Sequence, residues 1–593
     1  MGHRRPRPRG LLVVGSLLLL LVVLAAVWVG VRGALAAREL MAAESLAQEL
    51  PAVLSDTDTD MATASELAST LSGHTSAARS LTGDPIWSIA QELPWLGPQL
   101  AAISQLAVSA DELVTGALEP VLTVTARRSA DSAGPGANGF DLSAASALAP
   151  TVRVAADRVE GARAGLARVD RIALVVPLRE LVDSAAALLE EFGSATSTLA
   201  DALELLPPML GEDSPRTYLV LIQNNAELRS LGGIVGQVAF VTVDRGVVTL
   251  EGIESGSSFG YFDVPAVTLS AQEQALFSTR PARYMLNTTQ MTDFSQAATI
   301  AREMWARTHE GQEVDGVVAV DPVVLAHLLD ETGEIVVPGY GTVSGDTVVA
   351  DLLSDAYARY ADPADQDEYF AAVARAVFDA LPTAAVSDDG VLRALASSAL
   401  ERRVLVWSAH EEEQRTLATT SLAGGLPHST ADQATFGVYL NDGTGSKMDY
   451  HLDVEVALDW TGCVQPDDPT ASLTLTLTNT APDDAAQSLP AYVTGGGASG
   501  VPAGTSRTVA YVYLPEGFDL VDAITSDGSG TGGGEHEGLR ALTVSVDLEP
   551  GATFAATFAV RSTHVWPSRL VAQSTPTYAT DNATSLELSC GAQ

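Results

Sequence analysis

The sequence predicts a multidomain, membrane-anchored chain: an N-terminal transmembrane helix, a helical stalk, a mixed α/β domain and a C-terminal antiparallel β-sandwich. Three observations predict it. An uncharged apolar run opens the chain, apolar residues then recur at helical spacing to about residue 210, and strand-like patterning takes over, first interleaved with helices and then alone. The boundaries that follow are a cytoplasmic tail at 1–10, a transmembrane helix at 11–31, an extracytoplasmic helical stalk at 32–210, the α/β domain at 211–435 and the sandwich at 436–593.

The anchor rests on Leu11 to Val31, 21 residues without a charge. At about 1.5 Å rise each they cross roughly 30 Å of hydrocarbon. Arg4, Arg5, Arg7 and Arg9 precede the run, and such a cluster stays on the cytoplasmic side, so the bulk of the chain is expected outside. The bilayer is thus the first expected partner. A cleavable signal peptide is the alternative, because Ala34-Leu35-Ala36 resembles a cleavage site; the apolar core is longer than signal peptides use.

Charge excludes one class of partner. The chain has 33 basic and 74 acidic residues, net −41, and the part beyond the anchor carries about −45. Nucleic acid binding needs a basic stripe that releases counterions, and none is present. The two cysteines, Cys463 and Cys590, are expected to form one disulfide, as exported compartments permit.

The stalk follows from spacing. Val152, Ala155, Val159, Ala162, Leu166 and Val169 step by three and four, the seam of a helical hairpin or coiled coil. Leu178, Val182, Ala185, Leu189 and Phe192 prolong it beyond Pro177, and the stretch 129–139 divides the region into two helical groups. From about 215 the period changes. Thr217–Gln223, Gly236–Val243 and Val247–Leu250 read as strands, with Asp244-Arg245-Gly246 a tight turn between the last two. A helix at 294–310, a strand at Gly316–Val320, a helix at 322–331, a strand at Glu334–Val337 and a strand at Arg403–Ser408 complete an α/β or α+β domain. Tyr450–Leu458, Ser472–Thr478, Thr508–Leu514, Ala541–Leu548 and Thr553–Val560 predict the sandwich, with Asp527–Gly534 a flexible loop.

Several motifs fail on context. Gly256-Ser257-Ser258-Phe259-Gly260 fits a nucleophile elbow, but no helix pattern follows it. Asp56 to Asp60 lacks the glycine and glutamate of a calcium loop, Gly443 to Lys447 lacks the spacing of a phosphate loop, and the nine histidines show no ligand spacing, so no metal site is expected. Two stretches carry more. In QNNAELRSLGGIVG (223–236), Arg229 beside a Gly-Gly pair can clamp a phosphate, with Asn224 and Asn225 as further ligand contacts; a polar turn that pairs Arg229 with a local carboxylate explains the same residues. In the stretch from Asn287 to Asp321, Asn287 is a further binding candidate and Asp293 a catalytic one. Helix capping by Asp293 and Asp321 accounts for both aspartates without chemistry.

At RTYLVLIQNNAELRSLGGIVG, TDFSQAA and VDGVVAVDPVVLAHLLDETGEI, together with DPIWSIAQELPWLGPQL upstream, the chain resembles a bacterial, chiefly actinobacterial, family known as domain of unknown function 4012, over roughly residues 80–440. That resemblance brings no activity. VDGVVAVDPVVLAHLLDETGEIVV is similar, more weakly, to the LytR-CpsA-Psr family, membrane-anchored enzymes that move lipid-linked glycopolymers onto the cell wall. The resemblance implies Arg229 as a counterpart of that family's pyrophosphate-holding arginines and leaves Arg280 and Arg283 open, in a segment whose alignment it does not fix. The leading expectation is a structural or accessory role in cell-envelope or surface-polysaccharide assembly, with cell-wall or exopolysaccharide components as partners and no cofactor. The alternative is a LytR-CpsA-Psr-like phosphotransferase, which would need Mg2+ and would use Arg229 and Asp293.

Overall fold

The computed structural model describes residues 9–55, 61–124, 142–384, 389–430, 433–460, 470–563, 569–579 and 585–589. Cys463 and Cys590 lie outside them, as do Asp56 to Asp60 and the stretch 129–139. The chain divides at Pro207/Pro208 into two compact units, the first helical and the second carrying every strand among the described residues.

In the first unit, α1 (Arg9–Ser55) runs unbroken through the apolar stretch and well beyond it. It holds the one helix, among the described residues, long and apolar enough to cross a membrane. Leu20, Leu21, Val22, Leu24 and Val27 are exposed there, a surface suited to hydrocarbon rather than water. A polar latch marks where that surface ends. Arg32 Nε donates to the Leu81 carbonyl at 2.8 Å and pairs with Asp84 at 2.9 Å, and Trp28 Nε1 reaches the same carboxylate at 3.3 Å. Asp84 also caps α3 (Pro85–Ala90), which follows α2 (Met61–Thr82). Trp87 is wholly buried against Val29 and Leu100. The predicted seam is the core of the bundle: Ala155, Val159, Ala162 and Leu166 of α5 (Leu142–Ala167) pack on Ala102 and Leu106 of α4 (Leu96–Leu113) and on Val182 and Leu189 of α6 (Val176–Met209).

The second unit is built on a five-stranded sheet, order β3-β2-β1-β4-β7. β1 (Arg216–Arg229), β2 (Gly232–Asp244) and β3 (Val247–Ser255) form an antiparallel meander; β4 (Gly316–Val320) joins β1 in parallel and β7 (Leu405–Ser408) closes the edge antiparallel to β4. Arg245 and Gly246, both at positive φ, make the predicted tight turn. β1 outruns its expected end by six residues, so the polar stretch after Gln223 is strand, with register shifts at Ile222/Gln223 and Asn224/Leu228. Gly232, at φ +130°, starts β2; a Cβ there would sit 2.1 Å from Gln223 Oε1.

One face of the sheet, through Leu219, Leu221 and Val238, packs on Phe294, Ile300, Met304 and Trp305 of α8 (Phe294–Thr308), next to the short α7 (Ala271–Phe277). Over the other face lie α9 (Pro322–Thr332), α10 (Gly345–Ala350), α11 (Ala356–Arg359), α12 (Pro363–Ala384) and α13 (Asp389–Leu400), with α14 (Glu411–Leu417) following β7. The predicted strand at Glu334–Val337 is real but lies elsewhere: β5 (Ile335–Val337) pairs only with β6 (Gly341–Val343) in a separate ribbon.

The sandwich has a four-stranded sheet, β12-β15-β10-β9, and a six-stranded one, β13-β14-β11-β8-β16-β17. Their strands are β8 (Gln433–Asp442), β9 (Leu452–Trp460), β10 (Thr470–Asn479), β11 (Ser506–Tyr513), β12 (Phe518–Thr525), β13 (Gly532–His536), β14 (Leu539–Leu548), β15 (Thr553–Ser562), β16 (Arg569–Ser574) and β17 (Ser585–Ser589). Two expectations need correction. β16 runs parallel to β8, so the sandwich is not purely antiparallel, and residues 532–534 of the expected loop pair with Ala541–Thr543 as β13. Backbone pairing, which glycine leaves unhindered, makes that strand where side-chain pattern could not announce it. The core is also continuous with the α/β layer, because Tyr439, Tyr511 and Tyr513 share the cluster built on α8.

Candidate functional site

The far half of β1 carries the polar string singled out in the sequence, and it is driven into the sandwich. Leu228 belongs to the sandwich's own core, among Phe436, Leu440 and Leu542. Around it most polar groups are paired, Asn225 Oδ1 being the one left without a partner among the described residues of this string. Leu228 N–H donates to Asp449 at 2.7 Å, Ser230 N–H to Asn441 Oδ1 at 3.1 Å, and Thr575 Oγ donates to the Ser230 carbonyl at 2.8 Å. Asn225 Nδ2 bridges Asp321 at 3.1 Å and the Pro576 carbonyl at 3.2 Å. Arg403, whose side chain is fully buried, ties Asp321 at 2.8 Å to the Thr577 carbonyl at 2.8 Å.

At the centre Glu227 is held between two cations. Arg229 Nη2 meets it at 2.7 Å, and Lys447, the chain's single lysine, contacts its other oxygen. Arg229 spends its remaining donors on Asn287 Oδ1, at 3.1 and 2.9 Å, and on the Leu228 carbonyl at 2.8 Å. Burial alone would raise the Glu227 carboxyl, but the Lys447 and Arg229 charges outweigh it and hold the group below the usual carboxylate range. Asp449 goes the other way: burial first, then the neighbouring Asp442, push it well above that range, and Asp442 is raised by burial and by Glu227. Burial and their mutual like charge thus disfavour the charged forms of Asp442 and Asp449, the opposite of what the two cations do to Glu227.

Of the residues singled out in the sequence, Arg229 and Asn287 are brought into direct contact and Asn225 joins the same joint. Asn224 donates to Tyr357 Oη at 2.5 Å, and burial lifts that phenol to about 12. Asp293 sits apart from Arg229: it caps α8, accepting from Ser295 N at 2.8 Å and Gln296 N at 3.3 Å. Gly256 opens a 3-10 turn rather than an elbow, and a Cβ on it would lie 2.1 Å from the Val235 carbonyl. Lys447, Asn441 and Asp449 were missed. A lone lysine in a chain that otherwise uses arginine was the available signal.

The second feature is a cavity of about 300 Å³ between the open sheet face and its covering helices. Val220, Ile222, Val248 and Val320 form its floor; Leu325 of α9, Phe370 and Val377 of α12 and Leu395 of α13 form its walls. Gln223, Asn224, Gln237 and Asp321 supply its polar residues. Among the described residues, no lysine or arginine lines it. A separate polar depression of about 600 Å³ is lined by Tyr340, Tyr360 and Tyr369 with Asp346, Asp351 and Arg359.

One family model, described as a protein of unknown function (DUF4012), matches residues 213–357, about a quarter of the chain. The match begins just before β1 and ends at Tyr357, the partner of Asn224, so it spans most of the cavity floor and stops short of the sandwich. No curated protein and no solved structure matches the chain.

Proposed function

We propose, starting from a chain that carries a DUF4012 domain, that this is a membrane-anchored accessory protein of the cell envelope or of surface-polysaccharide assembly, and that its α/β layer binds an apolar chain such as a lipid tail. The observation that carries the reading is the cavity: sheet and helices stand apart across a space lined mainly by Val, Leu, Ile and Phe side chains. Leaving such a surface to water costs roughly 25 cal/mol per Å², and a pocket of this size with a few polar groups is the usual form of a site for an apolar ligand. The apolar α1 would hold the domain near a bilayer that supplies such ligands.

The phosphotransferase alternative has less support. Arg229 is bonded to Glu227, Asn287 and the Leu228 carbonyl, so a phosphate would have to displace a buried carboxylate to reach it. Asp293 is engaged as a cap, away from that arginine. The tyrosine-lined depression favours a glycan as the second partner, since sugar rings lie on aromatic faces beside carboxylates.

The test is saturable binding of a fluorescent polyene fatty acid to the purified full chain in non-lipid detergent, with polyprenyl phosphate as competitor. Wild type should bind at one site, and Ala374→Trp, which fills the cavity, should weaken binding at least tenfold. Loss of saturable binding in wild type, or unchanged binding by Ala374→Trp, refutes the reading. Turnover of a polyprenyl-pyrophosphate analogue with Mg2+ that Arg229→Ala abolishes would favour the enzyme instead.

A further inference from the structure

Away from the cavity and the joint, α7 and the β13–β14 hairpin bring Glu273, His536 and Glu537 together. One ligand atom of each lies within 4.8 Å of the others. His536 is 1 % exposed, and its Nε2 has no hydrogen-bond partner among the described residues. The ring is not adrift, because Nδ1 lies 2.7 Å from Tyr513 Oη, whose oxygen is in turn 2.9 Å from Thr292 Oγ. With Nδ1–H donated to that phenol, Nε2 carries the lone pair, 4.0 Å from Glu273 Oε1. A lone pair buried opposite carboxylates is repulsive unless something positive lies between them.

We propose that Glu273, His536 and Glu537 bind a divalent transition-metal ion, Zn2+ best fitting one nitrogen and two oxygens. Tetrahedral zinc places such atoms about 3.4 Å apart, so from separations of up to 4.8 Å each ligand atom moves inward by as much as about 0.8 Å to close the site. The supporting shell is built. Tyr513 fixes the imidazole, Phe277 packs edge-on against it at 5.5 Å, and Glu273 is oriented by its other oxygen, which accepts from Ser270 N–H at 2.5 Å in a capping box. Glu537 stands at φ +50°, a strained setting for a residue other than glycine, and this turn conformation carries its carboxylate to the site. Asp293 adds a further negative charge felt by the imidazole. Exposure of Glu537 leaves room for a water as fourth ligand. The ion would staple a helix of the α/β layer to the sandwich.

The experiment uses the full chain without a histidine tag, stripped with chelator and titrated with Zn2+, with Co2+ as a spectroscopic stand-in. The expected result is one equivalent of Zn2+ bound at micromolar concentration or tighter, a rise in Tm, and visible Co2+ bands of tetrahedral intensity. Glu537→Ala, on an exposed turn, should keep the fold and weaken binding at least tenfold; His536→Gln should abolish it. Binding below a tenth of an equivalent at 100 µM Zn2+, or binding that survives Glu537→Ala unchanged, overturns the site.

Discussion

Replacing Glu227 by glutamine strands two buried cations. At 2.7 Å and an effective dielectric near 20, the Arg229–Glu227 attraction alone is roughly 6 kcal/mol before desolvation is counted. Breaking a buried pair by removing one partner costs about 3–5 kcal/mol net. The β-containing unit has about 390 residues, so its unfolding entropy is on the order of 0.8 kcal/mol/K, and the expected fall in Tm is ~4–6 °C. Lys447→Met should cost less, because Glu227 keeps Arg229. The double variant should be less damaged than the sum of its parts, with a coupling of about 1–3 kcal/mol. Scanning calorimetry of wild type, both single variants and the double variant measures this cycle. Amine acylation adds an independent readout, since the only lysine should resist labelling until the protein unfolds. A Glu227→Gln shift below 1 °C, strict additivity, or ready acylation of native Lys447 would refute the reasoning.

Asp449 has its folded pKa raised, so its contribution to stability is fully present below the unfolded value and is lost as pH rises through the folded one. Asp449→Asn keeps an acceptor for Leu228 N–H and should flatten the loss of Tm as pH rises above the ordinary carboxylate range; an unchanged slope would contradict this. Glu227, with its pKa lowered, contributes in the opposite sense, so Glu227→Gln should cost less below pH 4 than at pH 7. Thiol labelling of denatured, unreduced protein should find neither Cys463 nor Cys590 free, and two reactive thiols would remove the disulfide. Protease added to intact cells should digest everything beyond about residue 32, whereas full protection would reverse the orientation.

Elements with one strong period were legible in the sequence. The 152–166 seam and the alternating strands β10, β14 and β15 each bury one face, and that face is written in their residues. β12, β13 and β16 were not read, since Gly532 to Gly534 carry no side chain and β16 is placed by parallel pairing to β8, more than a hundred residues earlier. The site was half legible. Polar residues in a strand-like context marked 223–229 as unusual, but their partners Lys447, Asn441 and Asp449 come from about 220 residues away and share no local pattern with them. Glu273 and His536 are equally remote, so no ligand spacing could announce them.

The lock on β1 has a consequence for how the molecule comes into being. Ser230 and Asn225 are held by Thr575 and Pro576, which emerge about 350 residues later. At roughly 5–20 residues per second, that is an interval of about 17–70 s during which the Ser230 carbonyl and the Asn225 amide lack these two partners. The strand that opens the sheet is therefore among the last pieces secured. A ribosome stalled before residue 570 would leave the Ser230 carbonyl and Asn225 without Thr575 and Pro576, and a chain truncated there should be degraded faster than the full chain.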